Sequence, residues 1–235
     1  MYGTYKDEFA YQGPDLSVSI SGVVGNRRYS RGCNGSRIEK NLASGVENII
    51  INPVEPVNLP DGLTQHLEIV FEPVVVRPGD EQVVYLTFPI ETGVFLESGG
   101  NYDVLDIFSL VPAKYSLYGL PESGCITRWY QSNVFSKIPD TDILREGVME
   151  LVVRNSGTTW TEVSRAVFLN TSMHLYYGDI VSMSAIMEIW NPKLAETKVL
   201  RRPVKEGLKA GIELYTAKKI PIVQTSGYLM EHGVS

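Results

Sequence analysis

Short runs of alternating apolar and polar side chains recur along most of the sequence and leave few folds open. Between residues 15 and 21, for example, Leu16, Val18 and Ile20 are separated by serines. A period of two places successive side chains on opposite faces of a half-buried β-strand. Short strands separated by turn residues roughly every 8–12 positions are typical of a sandwich or barrel. We therefore expect an all-β protein with an antiparallel β-sandwich architecture and few short helices.

The strongest local pattern lies at residues 114–132, KYSLYGLPESGCITRWYQS. Two runs rich in β-branched and aromatic residues flank the turn-forming segment PESG, at residues 121–124. Proline fixes φ in such a turn, and glycine permits positive φ. This segment therefore predicts a β-hairpin.

Further strands are predicted from apolar runs between turn signals. Residues 65–76 and 81–90 flank the turn RPGD at 77–80, and we expect these two strands to pair in antiparallel fashion. Later strands are predicted at residues 148–154, 160–169, 174–177, 183–189, 208–214 and 220–223.

Three segments have other signals. Ser36 is followed three residues later by Glu39, a capping-box spacing that favours a short helix over residues 36–43. Prolines within residues 48–60 predict an extended edge strand or connection after Ile51, and not a core strand. The pair Asn191-Pro192 is a valid helix start, so a helix over residues 193–202 is the alternative to a strand there.

The length of 235 residues, with 43% apolar side chains, suffices for one large or two ordinary domains. The segment ESGGN at residues 97–101 interrupts the strand pattern and is the preferred boundary. We expect an acidic N-terminal β lobe at residues 1–100 and a C-terminal β-sandwich lobe at 101–235. Packing of both into one unit is the alternative.

Composition and charge restrict the environment and the partners. No stretch reaches the roughly 18 apolar residues of a membrane-spanning helix, and the N-terminal segment lacks the features of a secretory signal. Cys33 and Cys125 have neither metal-ligand nor disulfide-framework spacing, so we expect free thiols and a cytoplasmic location. The formal net charge of −6 argues against a nucleic-acid partner.

No catalytic, nucleotide or metal motif is present. His66, His174 and His232 have no metal-ligand or paired-carboxylate spacing, so each is expected to be structural. Strand alternation places Cys125 on the face opposite Arg128, which does not help to form a thiolate. The sequence also lacks GxSxG, GxxxxGK[ST] and GxGxxG. We therefore expect no metal ion and no cofactor.

The predicted hairpin carries the densest group of side chains suited to recognition. These are Tyr118, Glu122, Arg128, Trp129 and Tyr130, with Glu91 available from the preceding lobe. Arginine, tryptophan and tyrosine dominate binding hot spots, because each buries much area and still offers a directed donor. The alternative is that Tyr118 and Trp129 are core residues and that Arg128 forms an internal ion pair with Glu122 or Glu91. Trp160 and Trp190 are expected in the sandwich core.

Three functions follow as hypotheses. The first is a non-catalytic binding or assembly module that uses a sheet face or edge, for example to form a homodimer. The second is a hydrolase or isomerase acting on a small polar substrate between the lobes, with Arg128 holding an anion and Glu122 or Glu91 as acid or base. The third is peripheral contact with anionic lipid or a membrane protein.

The third hypothesis depends on residues 193–219, which hold 8 basic against 3 acidic side chains. The basic residues proposed for the contact are Arg201, Arg202, Lys205 and Lys209. A solvated surface strand with ordinary lysines is the alternative.

Four segments also resemble a known family. They are INPVEPVNLP at 51–60, FPIETGVFL at 88–96, KYSLYGLPESGCITRWYQS at 114–132 and GVMELVVRNSGTTWTEVSRAVF at 147–168. Together they are similar to an archaeal family of uncharacterised proteins, domain of unknown function 432, over nearly the whole chain. The resemblance implies an archaeal, cytoplasmic source and brings no activity, cofactor or catalytic residue.

Overall fold

The computed structural model describes residues 1–23, 25–42, 46–218 and 227–235. Within these ranges the chain forms nineteen β-strands, one turn of 3-10 helix at Asn170–Ser172 and one short helix, α1, at Leu214–Ala217. The prediction of an all-β fold with few short helices is confirmed. Neither helix has the length and apolar character needed to span a membrane.

Ten strands precede the predicted hairpin, and the other nine begin with it. The first ten are β1 (Gly3–Tyr5), β2 (Phe9–Gln12), β3 (Leu16–Val23), β4 (Asn26–Cys33), β5 (Ser36–Leu42), β6 (Asn48–Val54), β7 (His66–Val76), β8 (Glu81–Pro89), β9 (Glu91–Ser98) and β10 (Asn101–Phe108). The others are β11 (Lys114–Tyr118), β12 (Cys125–Gln131), β13 (Glu146–Asn155), β14 (Thr161–Leu169), β15 (Tyr176–Tyr177), β16 (Val181–Asn191), β17 (Leu194–Leu200), β18 (Lys209–Ala210) and β19 (Tyr228–Met230).

These strands form four sheets. Sheet I is the meander β2-β3-β4-β5, sheet II has the order β1-β6-β9-β10, and sheet III has the order β11-β12-β7-β14. Sheet IV has the order β18-β15-β16-β13-β8, with β17 paired to β16 and β19 paired to β17. Most neighbours are antiparallel, whereas β12 with β7 and β13 with β16 are parallel.

Sheets I and II enclose the first buried core. Leu16, Val18 and Ile20 of β3 are buried there, and the serines between them are more exposed. Ile49 and Ile51 of β6 complete the contact from sheet II. The alternation predicted for residues 15–21 is therefore confirmed, with one face of β3 turned to the core.

Sheets III and IV enclose the second core, which makes this part of the protein a second sandwich. Leu67 and Ile69 of β7 belong to it from sheet III, and Leu86, Phe88 and Met149 from sheet IV. The central strand β13 lies between β8 and β16; it turns Met149, Leu151 and Val153 to this core, and Glu150 and Arg154 lie on its other face.

The two cores are interleaved along the chain. The first uses residues 16–51 and 94–110, and the second uses residues 57–90 and 118–234. The segment 97–101 contains the turn between β9 and β10, in which Ser98 is paired with Asn101. The division into lobes of residues 1–100 and 101–235 stays a prediction.

The helix predicted over residues 36–43 is wrong, because β5 occupies Ser36–Leu42. Asn34 and Gly35 both have positive φ, of 50° and 75°, as a tight type I′ hairpin turn requires. This turn pairs Cys33 with Ser36 and continues the meander from β4. Ser36 therefore caps no helix, and its hydroxyl donates instead to the carbonyl of Cys33 at 2.7 Å.

The proline-rich segment 48–60, predicted as a connection or edge, divides into two parts in the structure. Ile49 and Ile51 are buried in β6 between β1 and β9, so this part is a core strand. After Ile51 the pairing with β1 ends, and residues as far as Val54 pair only with β9. Pro53 therefore lies at a free edge, where its missing N–H removes no ladder hydrogen bond.

The strands predicted on either side of residues 77–80 are present, but their predicted pairing is wrong. β7 joins sheet III, where it pairs with β12 and β14, and β8 joins sheet IV, where it pairs with β13. The turn between them crosses from one layer of the sandwich to the other. It is held there by a hydrogen bond of 2.8 Å from the Gly79 N–H to the carbonyl of Asn155.

In the C-terminal part, the helix considered for residues 193–202 is wrong, because β17 occupies Leu194–Leu200 as an antiparallel partner of β16. The strand predicted at 208–214 is reduced to β18, and Leu214 begins α1. The strand predicted at 220–223 lies outside the described residues.

The prediction that Trp160 and Trp190 belong to the core is wrong, since they are 65% and 39% exposed. Trp160 ends the loop between β13 and β14. Trp190 lies near the end of β16, where the register with β17 shifts between Ile189 and Asn191. Both side chains therefore lie at strand ends, where the facing sheet does not cover them.

Candidate functional site

The hairpin predicted at residues 114–132 is confirmed, with its strands at Lys114–Tyr118 and Cys125–Gln131. β11 and β12 are antiparallel, with Leu117 opposite Ile126 and Tyr118 opposite Cys125. The Gly124 N–H closes the turn by donating to the carbonyl of Leu120 at 2.6 Å. β12 then pairs with β7, so the hairpin is the outer part of sheet III and β11 is its edge.

The cross-strand register assigns the hairpin side chains to two faces. Directly opposite residues share a face, which places Tyr118 and Cys125 on one side and Leu117 and Ile126 on the other. Arg128 shares the second face because it lies opposite Tyr115. The prediction that Cys125 and Arg128 face opposite sides agrees with this register.

Arg128 and Glu91 form a buried ion pair between the two sandwiches. The Arg128 Nη1 lies 2.5 Å from Glu91 Oε1, and the side chains are 1% and 0% exposed. Arg128 also donates to the carbonyl of Val111 at 3.3 Å, and Glu91 accepts from the N–H of Asn58 at 3.1 Å. The internal ion pair predicted as the alternative for Arg128 is therefore present, with Glu91 as the partner.

Two carboxyl groups in this region have raised pKa values. Burial raises the pKa of Glu91 to about 7, although the charge of Arg128 opposes the shift. Burial also raises the pKa of Glu55 to about 8, and the charge of Glu91 adds to that shift. Glu55 therefore holds its proton at neutral pH.

The other predicted site residues do not converge on this pair. Tyr118 is fully buried, and its hydroxyl donates to the carbonyl of Gly233 at 2.9 Å. Trp129 is partly buried, with the Lys114 ammonium 5.6 Å from its ring centroid. Glu122 is exposed in the turn, and no ion pair joins it to Arg128 in the described ranges.

Tyr130, the remaining member of the predicted group, turns toward β13. Its hydroxyl donates to the carboxylate of Glu146. Burial raises the pKa of Tyr130, and this hydrogen bond adds to the shift. Tyr130 therefore acts as a structural link within the second sandwich.

An exposed apolar strip covers the outer part of the hairpin. We define this hairpin strip as Tyr115, Leu117, Leu120 and Ile126, all of which are exposed. The strip borders β11, which has no strand partner on its outer side among the residues described. Large exposed apolar side chains grouped along an unpaired edge mark a site of association.

Two other edges in the molecule, β5 and β14, are protected. β5, an edge of sheet I, presents Arg37, Glu39 and Lys40 to solvent, and charged side chains discourage edge pairing. The opposite edge of sheet III, β14, is covered by the C-terminal segment, because the Ser164 N–H donates to the carbonyl of Val234 at 2.9 Å. The β11 edge has neither form of protection along the strip.

A second polar group, centred on His174, was missed by sequence reasoning. The Nδ1 atom of His174 contacts a carboxylate oxygen of Glu213, and Arg201 Nε donates to His174 Nε2 at 3.0 Å. These residues line a small cavity of about 130 Å³. They lie far apart in the sequence, so spacing gave no signal for them.

Two of the four basic residues proposed for the anionic contact are engaged with acidic neighbours. Arg202 pairs with Glu150, and Lys205 pairs with Asp179 at 2.5 Å. Lys209 lines a separate cavity of about 190 Å³. These contacts reduce the charge that the segment presents to an anionic surface.

Cys33 and Cys125 are free thiols, as predicted. Cys125 is partly buried, with its Sγ 3.3 Å from the hydroxyl of Tyr228. In the ranges that the structure covers, no group of three or more His, Cys, Asp or Glu side chains is arranged to hold a metal ion.

Comparisons with known proteins bear on the family alone. Neither a search of curated proteins nor a search of solved structures found a match. A family model with the description "Protein of unknown function (DUF432)" matches residues 1–231. The chain therefore belongs to this family, as the resemblance of its four quoted segments implied.

Proposed function

We propose that this protein is a non-catalytic assembly module that forms a homodimer through β11 and the hairpin strip. The observation that carries the proposal is the coincidence of an unpaired strand edge with exposed apolar side chains, among the residues that the structure describes. An unpaired edge offers main-chain donors and acceptors to another strand, and the strip supplies apolar area next to them.

A second copy is the partner that this edge fits best. Two β11 strands related by a two-fold axis would pair in antiparallel fashion and join two copies of sheet III into one continuous sheet. The same patch would then serve both subunits, as an isologous interface requires. Burying an exposed leucine or isoleucine side chain contributes roughly 1.5–3 kcal/mol, so the apolar residues of the strip supply a substantial driving force.

The hairpin is held rigidly in the position that the proposal needs. The Tyr115 hydroxyl donates to the carbonyl of Leu59, and the Thr64 hydroxyl donates to the carbonyl of Ile126, each at 2.6 Å. These bonds connect both hairpin strands to the segment before β7. A surface ordered before association loses less entropy when it binds.

The other functional hypotheses receive less support. A hydrolase or isomerase that uses Arg128 with Glu91 would need both groups to meet a substrate, and each is buried against the other. Glu122, the other acid or base considered, is exposed in the turn. Contact with anionic lipid through Arg202 and Lys205 is weakened because both side chains are in ion pairs.

The proposal includes a cytoplasmic location. Its support is the pair of free thiols, Cys33 and Cys125, because unpaired cysteines are characteristic of reducing compartments.

The test is the molar mass in solution, measured by size-exclusion chromatography with multi-angle light scattering. Leu117→Lys inserts a charge into the strip and is expected to convert a dimer into a monomer. Leu229→Lys is the matched control, because Leu117 and Leu229 are 43% and 44% exposed. A wild-type monomer, or equal dissociation of both variants, would overturn the proposal.

A further inference from the structure

Arg201 differs from the neighbouring basic side chains in its partner. Arg202 and Lys205 each contact a carboxylate, whereas Arg201 donates its Nε–H to the Nε2 atom of His174. No ion pair joins Arg201 to an acidic side chain within the part of the chain that is described. An arginine oriented by a histidine ring keeps its full charge available for another anion.

The hydrogen bonds around His174 assign its tautomer. Because Nε2 accepts from Arg201, the ring proton lies on Nδ1 and is donated to Glu213. The imidazole is therefore neutral in this arrangement. The ring contacts the Nε of Arg201, and no described residue bonds to the terminal guanidinium nitrogens, so these can form the two parallel hydrogen bonds that oxyanions accept.

These groups line a cavity of limited size. Its volume of about 130 Å³ is bounded by three polar side chains and four neighbours along the chain, namely His174, Arg201 and Glu213 with Leu175, Tyr176, Ala210 and Gly211. Pockets for drug-sized molecules enclose roughly 300–1,000 Å³. The space therefore suits a single compact group and excludes a large ligand.

Glu213, the acidic group that shares the cavity, contacts Nδ1 of the His174 ring, whereas Arg201 contacts Nε2. Glu213 accepts from His174 and is hydrogen-bonded to Tyr215, and these two neutral donors orient its carboxylate without removing its charge. Glu55, which interacts with Glu213, holds its proton at neutral pH because burial raises its pKa to about 8. The guanidinium of Arg201 is the positive charge among the groups that line the cavity.

We infer that Arg201, oriented by His174, is the main contact of a binding site for a small oxyanion, such as a phosphate or carboxylate group. Arg201 supplies the charge and the paired donors, and His174 is a positioning residue that holds the guanidinium at the cavity. This site is separate from the hairpin strip, and it does not depend on the dimer proposed above.

Isothermal titration with inorganic phosphate tests the site, with chloride at matched ionic strength as the reference. The variants are Arg201→Gln and Arg202→Gln, which remove adjacent arginines and so change the net charge equally. Arg201→Gln is expected to weaken phosphate binding about tenfold or more, because a charge-assisted hydrogen bond is lost. Arg202→Gln is expected to change phosphate binding less than about twofold, since Arg202 is engaged with Glu150.

Two further measurements sharpen the result. Phosphate is expected to shift the imidazole ¹⁵N resonances of His174 and to leave those of His66 unchanged. Parallel titrations with acetate and with phosphatidylglycerol vesicles distinguish phosphate, carboxylate and lipid headgroups. Equal weakening in both arginine variants, no phosphate binding by the wild type, or binding to vesicles alone would overturn the inference. The two proposals are tested separately by exchanging the variants. Arg201→Gln should keep the molar mass of the wild type in light scattering, and Leu117→Lys should bind phosphate as the wild type does.

Discussion

Arg128 of sheet III and Glu91 of sheet II meet across the boundary between the two sandwiches, with Nη1 and Oε1 2.5 Å apart and neither side chain accessible to solvent. Glu91 is the first residue of β9, directly after the chain leaves β8 and the second sandwich. The pair therefore joins the two layered units at the point where the chain passes from one to the other.

Removing one partner of this pair is expected to destabilise the fold strongly. Arg128→Met leaves the Glu91 carboxylate buried without its cation, at a cost of roughly 3–5 kcal/mol. The free energy of unfolding, from urea titration at pH 8, measures the effect. The loss should be smaller at pH 5, where the Glu91 carboxyl becomes protonated.

Arg202→Met is the control for this prediction, because Arg202 is exposed beside Glu150 and exposed pairs contribute about 0–1 kcal/mol. The double variant Arg128→Met with Glu91→Leu should recover most of the loss, since no charge is then left buried. Equal losses in Arg128→Met and Arg202→Met would contradict the interpretation of the pair.

Glu55 is expected to make stability depend on pH. Its pKa rises from 4.5 to about 8 on burial, so the folded state holds a proton that the unfolded chain releases. The contribution is fully present below about pH 4.5 and is lost as the pH rises through about 8, and each tenfold difference in proton affinity corresponds to roughly 1.4 kcal/mol. Glu91, with a pKa raised to about 7, acts in the same direction.

Glu55→Gln tests this dependence, because a neutral amide replaces the titrating carboxyl. Unfolding free energies at pH 5 and pH 8.5 should fall less steeply in this variant than in the wild type. Glu122→Gln, in the exposed turn, should leave the wild-type slope unchanged. Identical slopes in Glu55→Gln and wild type would rule out Glu55 as the source.

Gly119 is expected to tolerate no side chain. Its φ is +104°, and an added Cβ would lie 2.4 Å from the Cδ2 atom of His232. Gly119→Ala therefore combines backbone strain with a clash and should cost roughly 2–5 kcal/mol. Thermal unfolding measures the loss.

Gly35→Ala is the matched control. Gly35 has a φ of +75°, and an added Cβ would meet no atom within 4 Å. This variant should show only the cost of the backbone conformation, roughly 1–2 kcal/mol. If the two alanine variants were equally stable, the C-terminal segment would not pack against Gly119 as described.

The exposed tryptophans give a spectroscopic prediction. Trp160 is 65% exposed, so acrylamide should quench a large share of the protein's fluorescence. Trp160→Phe should remove much of the quenchable emission, whereas Trp129→Phe should remove emission that is better protected, because Trp129 is partly buried. If Trp160 and Trp129 were equally protected from acrylamide, Trp160 would have to be a core residue, and the exposure described here would be wrong.

Most strands could be predicted from the sequence, whereas their partners could not. Alternation at Leu16, Val18 and Ile20 is local and reflects one buried face, so it predicted β3 correctly. The turn at residues 77–80 has the composition of a hairpin, yet β7 and β8 lie in different sheets. Which strands β7 and β8 pair with depends on β12, β13 and β14, which compete for the same edges and are distant in the sequence.

The same distinction applies to the candidate site. The hairpin and the Arg128 ion pair were predicted because the turn signal is local and an internal carboxylate partner is the usual requirement of a buried arginine. His174 and Glu213 meet through the pairing of β15 with β18, two strands of two residues each. Strands were predicted at both places, but no local pattern could indicate that they pair with each other.

The interleaving of the two cores has a consequence for synthesis on the ribosome. Strands β2 to β6 cannot complete their sandwich until β9 and β10 have emerged, and the intervening residues belong to the other core. Nascent chains that end before residue 110 should therefore expose the apolar faces of β3 and β6. Contacts this distant in sequence slow folding, so early translation products of this protein should depend on chaperone protection.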